Sequence, residues 1–191
     1  MLSLTIFSFC ITTYFALHSL LADSGIKEKL YPVISKRYYR LVYNMVSIIG
    51  LVGLLYFYSY LPTEALLLIP SRIGLILIIP GVLLMFLALR NYDLAEFSGT
   101  YQLKHNGDPI SQLLNTSGVN AYVRHPLYSA SFLLLWGVFL VSPTSKVLCF
   151  SAIARLYLII GTRLEEKKLI KAFGEEYVGY QNRVGRFIPK L

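Results

Sequence analysis

Apolar positions run through this chain in long uninterrupted stretches, not in the alternation of a strand or the single stripe of a surface helix. Leu2–Ala22 and residues 41–61 and 73–89 are each free of charge. Each meets the roughly 17–25 mostly apolar residues that carry a helix across about 30 Å of hydrocarbon. Two further apolar runs, 127–141 and 147–161, have 15 residues each and are interrupted only by Arg155. At 1.5 Å per residue each is about 22 Å long, short for a full crossing. Ser142-Pro143-Thr144-Ser145 joins them, with a proline that stops one helix and hydroxyls that cap the next. The pattern predicts a tight helical hairpin that either crosses thinly or dips in and returns.

Past residue 161 the period changes. Thr162, Glu166, Leu169, Ile170, Phe173, Tyr177 and Tyr180 fall within about 100° on a helical wheel. The expectation is an amphipathic C-terminal helix, with Gly174 as a candidate break. The fold class is therefore all-α: a polytopic membrane helix bundle of about five transmembrane helices, the last two a short hairpin, plus a C-terminal amphipathic cytoplasmic helix. Residues 1–191 read as a single integral membrane domain, with 1–90 a three-helix scaffold and 91–191 the part that carries chemistry.

Composition agrees, with 55% hydrophobic and 15% charged residues. The net charge of +8 comes from basic loops: five Lys or Arg lie between the first two spans, three between the third and fourth, and seven after residue 161. Fifteen of eighteen fall on one side, which places that side in the cytoplasm and the N-terminus outside. Basic residues that flank spans are attracted to an anionic leaflet; they form no stripe for nucleic acid. The first apolar run has no preceding Lys or Arg and is long enough to span, so it reads as a retained helix, not a cleaved signal. Cys10 and Cys149 lie in apolar runs without a CxxC partner and read as buried small side chains. No metal site is indicated.

Several polar groups stand out against this background. His18 lies inside the first span, either as a functional residue or as an imidazole satisfied by neighbours. Arg37-Tyr38-Tyr39-Arg40-Leu41-Val42-Tyr43-Asn44 carries more polarity than a span entrance needs, although a basic aromatic collar also accounts for it. The connection from Asn91 to Asn120 has 30 residues, long enough to cover or line something; Asn106-Gly107-Asp108-Pro109 within it is turn chemistry. Arg155 costs at least ~2.5 kcal/mol inside a span unless it faces a polar cavity or snorkels. Glu166 sits on the apolar stripe, where a carboxylate must be paired or engaged in chemistry. Arg163, three residues earlier, is one candidate partner.

The densest concentration of chemistry is ordered along the second half: Thr116-Ser117-Gly118-Val119, Arg124-His125-Pro126-Leu127-Tyr128, Glu165-Glu166, Phe173-Gly174-Glu175-Glu176-Tyr177 with Tyr180, and Arg186-Phe187-Ile188-Pro189. In these residues the chain resembles the integral membrane methyltransferases of the isoprenylcysteine carboxyl methyltransferase and phospholipid methyltransferase superfamily. The front half, through His18-Ser19-Leu20-Leu21-Ala22, Arg37 to Asn44 and Tyr92-Asp93-Leu94, is similar to the bacterial branch of methanethiol S-methyltransferases and NnrU-like proteins.

The resemblance implies a cytoplasmic site for S-adenosyl-L-methionine, held by Gln112, Leu113, Leu114 and Asn115, by His125, Pro126, Leu127 and Tyr128, and by Glu165. It implies a multi-pass protein of a bacterial inner membrane, working on a small or membrane-soluble thiol. Arg163, Glu166 and Arg155 are the candidate catalytic residues: a guanidinium favours a thiolate, and Glu166 or His125 can accept its proton. Two positions depart from the prenylcysteine enzymes, with Gly161 where they carry a substrate-binding arginine and Asn120 where they carry an aromatic donor contact. Other acceptors, a prenylcysteine carboxylate or a phospholipid amine, use the same donor. An NADPH reductase lacks a Gly-rich signature here. In a non-enzymatic membrane protein, Arg155, Arg163 and Glu166 would be a buried ion network only.

Overall fold

A computed structural model describes residues 2–67, 70–107 and 113–190. Among them the regular structure is helical, apart from two isolated bridges. Among the described residues four helices are long and apolar enough to cross a membrane: α1 (Leu2–Ala22), α3 (Lys36–Ser59), α4 (Arg72–Leu89) and α8 (Ser145–Phe173). Their outward side chains, such as Ile48, Ile49 and Val52 on α3 and Ile76, Ile79 and Val82 on α4, are exposed and apolar. Such surface is stable against lipid and not against water.

The chain divides into two compact units, Met1–Pro62 with Asp93–Ser111, and Thr63–Tyr92 with Gln112–Leu191. In the first, α1 packs on α3, joined through the short α2 (Ser24–Leu30), whose first turn Asp23 caps. Phe7 and Ile11 are buried between them, Phe7 edge-on to Phe57. His18 is satisfied at both ring nitrogens: Nδ1 lies 3.0 Å from Ser47 Oγ and Nε2 lies 2.7 Å from the Tyr43 hydroxyl. Because Ser47 donates its own hydrogen to the Tyr43 carbonyl, its oxygen accepts from Nδ1–H, and Tyr43 donates to Nε2. This favours the structural reading of His18.

The polar run 37–44 also finds its partners there. Tyr39 donates to the Leu21 carbonyl at 2.8 Å. Arg40 and Asn44 reach the Phe97 carbonyl, and Asn44 that of Ser98, which fixes α5 (Leu94–Ser98) against α3. Asp93 caps α5, and α6 (Thr100–Lys104) follows through Gly99 at φ 92°. Asn106 and Gly107 both take positive φ, as turn residues do; Asp108 and Pro109 lie outside the described residues.

In the second unit α4 packs closely along α7 (Pro126–Val141). The approach depends on small residues: a Cβ on Gly137 would come within 2.6 Å of Ile78 Cγ1, and one on Gly74 would run into the Gly137 carbonyl. Small-to-small contacts are how membrane helices bring their backbones together. The turn after α7 is held by residues 64–66: Leu66 N donates to the Pro143 carbonyl at 2.7 Å, Ser145 N donates to that of Glu64, and Thr144 caps α8.

The expected division between a 147–161 hairpin arm and a separate tail helix is corrected. α8 runs unbroken for 29 residues, because nothing between Ser145 and Phe173 removes a donor or forces φ positive. At about 43 Å it outreaches a bilayer core of about 30 Å and carries its last turns into the aqueous region. Gly174, at φ 54°, ends it, and α9 (Glu175–Arg183) begins at once.

Candidate functional site

The site is built where α7 begins. A parallel bridge pairs Val123 with Gly185. Arg124 N donates to the Gly185 carbonyl at 2.9 Å and His125 N to that of Arg186 at 3.1 Å. Ser129 Oγ, one turn into α7, contacts the His125 and Phe187 carbonyls. The C-terminal strap is thereby sewn to the entrance of α7. Gly185 suits this path because a Cβ there would collide with the Ile188 carbonyl.

Glu166 is the electrostatic hub. Its Oε1 accepts from Arg124 Nε at 3.0 Å and Nη2 at 2.7 Å, and lies 3.2 Å from His125 Nε2; its Oε2 is paired with Arg186. The carboxylate is 5% exposed. Arg124 reaches on to the Gln181 and Val184 carbonyls, tying α9 and the strap into the same knot. Tyr177 is buried beside it, and burial together with the Glu166 charge pushes its phenol up to about 12. Such a network offsets the desolvation of its charges only while every member is present.

His125 faces both carboxylates. Burial lowers its pKa below the ordinary imidazole value, and the opposing pull of Glu165 and Glu166 does not restore it. The ring is therefore neutral near pH 7. A carboxylate only accepts, so Nε2 carries the hydrogen donated to Glu166 and Nδ1 is left with a lone pair. Nδ1 stands 3.7 Å from Glu165 Oε2, two acceptors facing each other with no hydrogen of their own between them. Glu165 keeps 41% of its side chain exposed. Tyr128 packs edge-on to His125, with its phenol facing Glu165. Pro126 at the first helical position leaves Leu127 and Tyr128 N–H ahead of the first helical hydrogen bond, Ser129 N to the His125 carbonyl.

Of the sequence candidates, His125, Pro126, Leu127, Tyr128, Glu165 and Glu166 are thus brought together. Leu113 is 90% exposed, and Leu114 and Asn115 follow it into the turn where Asn115 Oδ1 holds Ser117; Gln112 lies outside the described residues. The candidate Arg163–Glu166 pairing gives way to a different one. Arg163 is exposed, 60° round the helix from Glu166, and both Glu166 oxygens are already occupied by Arg124 and Arg186. Arg155 stacks over the Trp136 ring at 3.6 Å, with Nε and Nη2 buried and without a hydrogen-bond partner. Arg124 and Arg186 had stood out only as parts of motifs. Their signal was that each is an arginine next to a residue, His125 or Phe187, that needs a defined place.

On the far side of Ser129 an apolar cavity of about 630 Å³ is lined by Leu84, Val123, Phe132, Trp136, Phe187 and Ile188, among others. It lies between α4, α7 and the strap.

The phospholipid methyltransferase family model matches residues 69–176. The chain is 28% identical over 190 residues, 95% of its own length and 71% of the relative's, to a methanethiol S-methyltransferase of Pseudomonas deceptionensis. It is 26% identical over 178 residues to methanethiol S-methyltransferase 1 of Bradyrhizobium diazoefficiens, covering 90% of this chain and 62% of that one. With the protein-S-isoprenylcysteine O-methyltransferase of Saccharomyces cerevisiae it shares 32% identity over 119 residues, 61% of this chain and 48% of the relative. The chain thus spans about half to seven tenths of the length of these relatives. No solved structure matches it significantly.

Proposed function

Because the chain belongs to the phospholipid methyltransferase family, we propose that it is a multi-pass membrane methyltransferase that uses S-adenosylmethionine to methylate a small or membrane-soluble thiol. The observation that carries the donor assignment is the facing pair His125 Nδ1 and Glu165 Oε2. Two acceptors 3.7 Å apart call for a ligand that brings hydrogen-bond donors, such as an ammonium or a ribose diol, and the half-exposed carboxylate leaves room for it. Leu127 and Tyr128 N–H at the start of α7 offer the complementary donors. Leu113, Leu114 and Asn115, with Gln112, are proposed to form the remaining wall.

When bound, the donor supplies an activated sulfonium methyl, so the protein has mainly to align it with the acceptor, which is worth up to ~7–11 kcal/mol. Glu166 is a positioning residue in this scheme, since both of its oxygens are committed to holding Arg124 and Arg186 around His125. Arg163 and Arg155 supply guanidinium charge that favours the acceptor thiolate. The site lies on the side that carries most Lys and Arg, proposed to be the cytoplasmic face of a bacterial inner membrane.

The apolar cavity favours a second acceptor class. Its volume of about 630 Å³ falls in the range of pockets for drug-sized ligands, far larger than a one-carbon thiol requires. A lipidic acceptor, a prenylcysteine carboxylate or a phospholipid amine, is the alternative.

Calorimetric titration of the detergent-purified protein with S-adenosylhomocysteine, with NADPH as control, tests the donor. Saturable binding of the first alone supports it; absence of binding to folded protein rejects it. Turnover with radiolabelled S-adenosylmethionine on alkyl thiols of increasing length, set against a prenylcysteine and a phospholipid, then separates the acceptors.

A further inference from the structure

The apolar cavity of the second unit has a definite depth. On α7 its lining residues are Ser129, Phe132, Leu133 and Trp136, one face at helical spacing. From Ser129 to Trp136 the helix rises about 10 Å. At the Ser129 end stands Phe187, whose ring lies 6.3 Å from that of His125 and 4.9 Å from that of Phe132, so the cavity begins directly behind the charged knot. At the other end Trp136 is followed by Gly137, where Ile78 and the Gly74 carbonyl come against the helix and α4 closes on α7. Trp136 is therefore the floor.

The indole keeps 45% of its surface accessible, so surrounding packing alone does not fix it. Two neighbours orient it: the Arg155 guanidinium stacked over one face at 3.6 Å, and Phe139 edge-on at 6.2 Å. Arg155 Nε and Nη2 have no hydrogen-bond partner among the described residues, which leaves the ring as the clearest contact of that charge. A desolvated cation over an indole is a strong brace. Among the described residues no charged side chain lines the cavity, and the Ser129 hydroxyl is committed to the His125 and Phe187 carbonyls. An uncharged alkyl chain suits such walls; a phosphate or a carboxylate does not.

We propose that Trp136, braced by Arg155, sets the length of alkyl chain that the acceptor thiol can carry: the sulfur stays at the Phe187 end and the chain runs down α7 until it meets the indole. This rests on the methyl-transfer reading above and names its acceptor class as thiols with an alkyl tail. Arg155 is a positioning residue that acts through Trp136.

The test uses the full chain in nanodiscs, where no detergent competes for the cavity, and straight-chain thiols from methanethiol upward. Each methylene buried in the cavity is expected to raise kcat/KM about fourfold, up to the chain that reaches Trp136, beyond which the gain is lost. Trp136→Ala is expected to move the optimum to longer chains, and Leu84→Phe, which takes up space on the α4 wall, to shorter ones. Arg155→Met should broaden the cut-off. A wild-type profile that is flat with chain length, or an optimum that neither Trp136→Ala nor Leu84→Phe displaces, overturns the proposal. Because Trp136 is the only tryptophan of the chain, its fluorescence reads the cavity without turnover. An alkyl methyl sulfide brominated at its far end is expected to quench it saturably, and the unbrominated sulfide to restore it. That result with no methyl transferred to any thiol would keep the chain pocket and reject the methyl-transfer reading; absence of saturable quenching would overturn the pocket.

Discussion

Arg124 donates two hydrogen bonds from its Nε and Nη2 to a single carboxylate oxygen of Glu166, 42 residues further along the chain. The contact joins the entrance of α7 to the emerging end of α8. With Arg186 on the other oxygen, it also anchors the strap whose backbone receives the N–H groups of Arg124 and His125. The order of the site depends on this knot.

Removing one member leaves the others buried without compensation. Glu166→Ala is expected to destabilise the protein by about 3–5 kcal/mol, as breaking a buried ion pair does. Glu166→Gln should cost less, since the amide oxygen still accepts one guanidinium. Thermal unfolding of both variants in the same detergent checks the order; an unchanged midpoint for Glu166→Ala would sink the hub assignment.

His125 gives stability a pH dependence of known sign. Its native pKa lies below the unfolded value near 6.5, so its contribution is fully present above about pH 6.5. As pH falls below that value the unfolded chain gains a proton that the native site resists. Stability should then drop by at most about 1.4 kcal/mol per pH unit. Denaturation between pH 7.5 and 5 is expected to show this slope in wild type and a shallower one in His125→Asn.

Arg155 pays no hydrogen-bond return for two of its nitrogens, and its clearest contact is the face of Trp136. Arg155→Met is therefore expected to change stability by less than about 1 kcal/mol, in the manner of buried charges replaced by apolar side chains. Donor binding should persist while kcat/KM for a thiol falls. If turnover is untouched, Arg155 has no part in handling the acceptor.

Tyr43→Phe removes the hydroxyl that serves His18 Nε2. The loss should be about 1 kcal/mol of stability, the cost of stranding a half-buried acceptor, with the affinity for S-adenosylhomocysteine unchanged. Chemical unfolding and calorimetry on the same preparation measure the two. A large loss of affinity with intact stability would give His18 a functional place.

Gly174 takes φ 54° with open space around its would-be Cβ. Because its ψ of −131° lies outside the left-handed helical well, Gly174→Ala should cost about 1–3 kcal/mol of backbone strain. Gly185→Ala forces the Ile188 carbonyl aside and should loosen the strap, seen as faster amide exchange at Arg124 and His125, whose N–H groups it holds.

By itself the sequence determined the membrane character, the span positions, the stop at Gly174 and the burial of Glu166, Tyr177 and Tyr180. Each is a local property: uninterrupted hydrophobicity, a residue that permits positive φ, or a helical period that marks the inward face. The same local evidence misread two features. The drop in hydropathy after Gly161 suggests the end of one helix and the start of another, although polarity alone does not break a helix and α8 is continuous there. Spacing along one helix, which is all that a sequence displays, offers Arg163 as a partner for Glu166. Only tertiary structure decided that Arg124 and Arg186, 42 and 20 residues away, hold that carboxylate. It also decided that His125 turns one nitrogen to Glu166 and the other to Glu165. Those pairings depend on the depth at which α4, α7 and α8 pack and on the path of the strap. Close backbone contact at Gly74 and Gly137 and a bridge at Gly185 set them, and neither leaves a periodic trace in the chain.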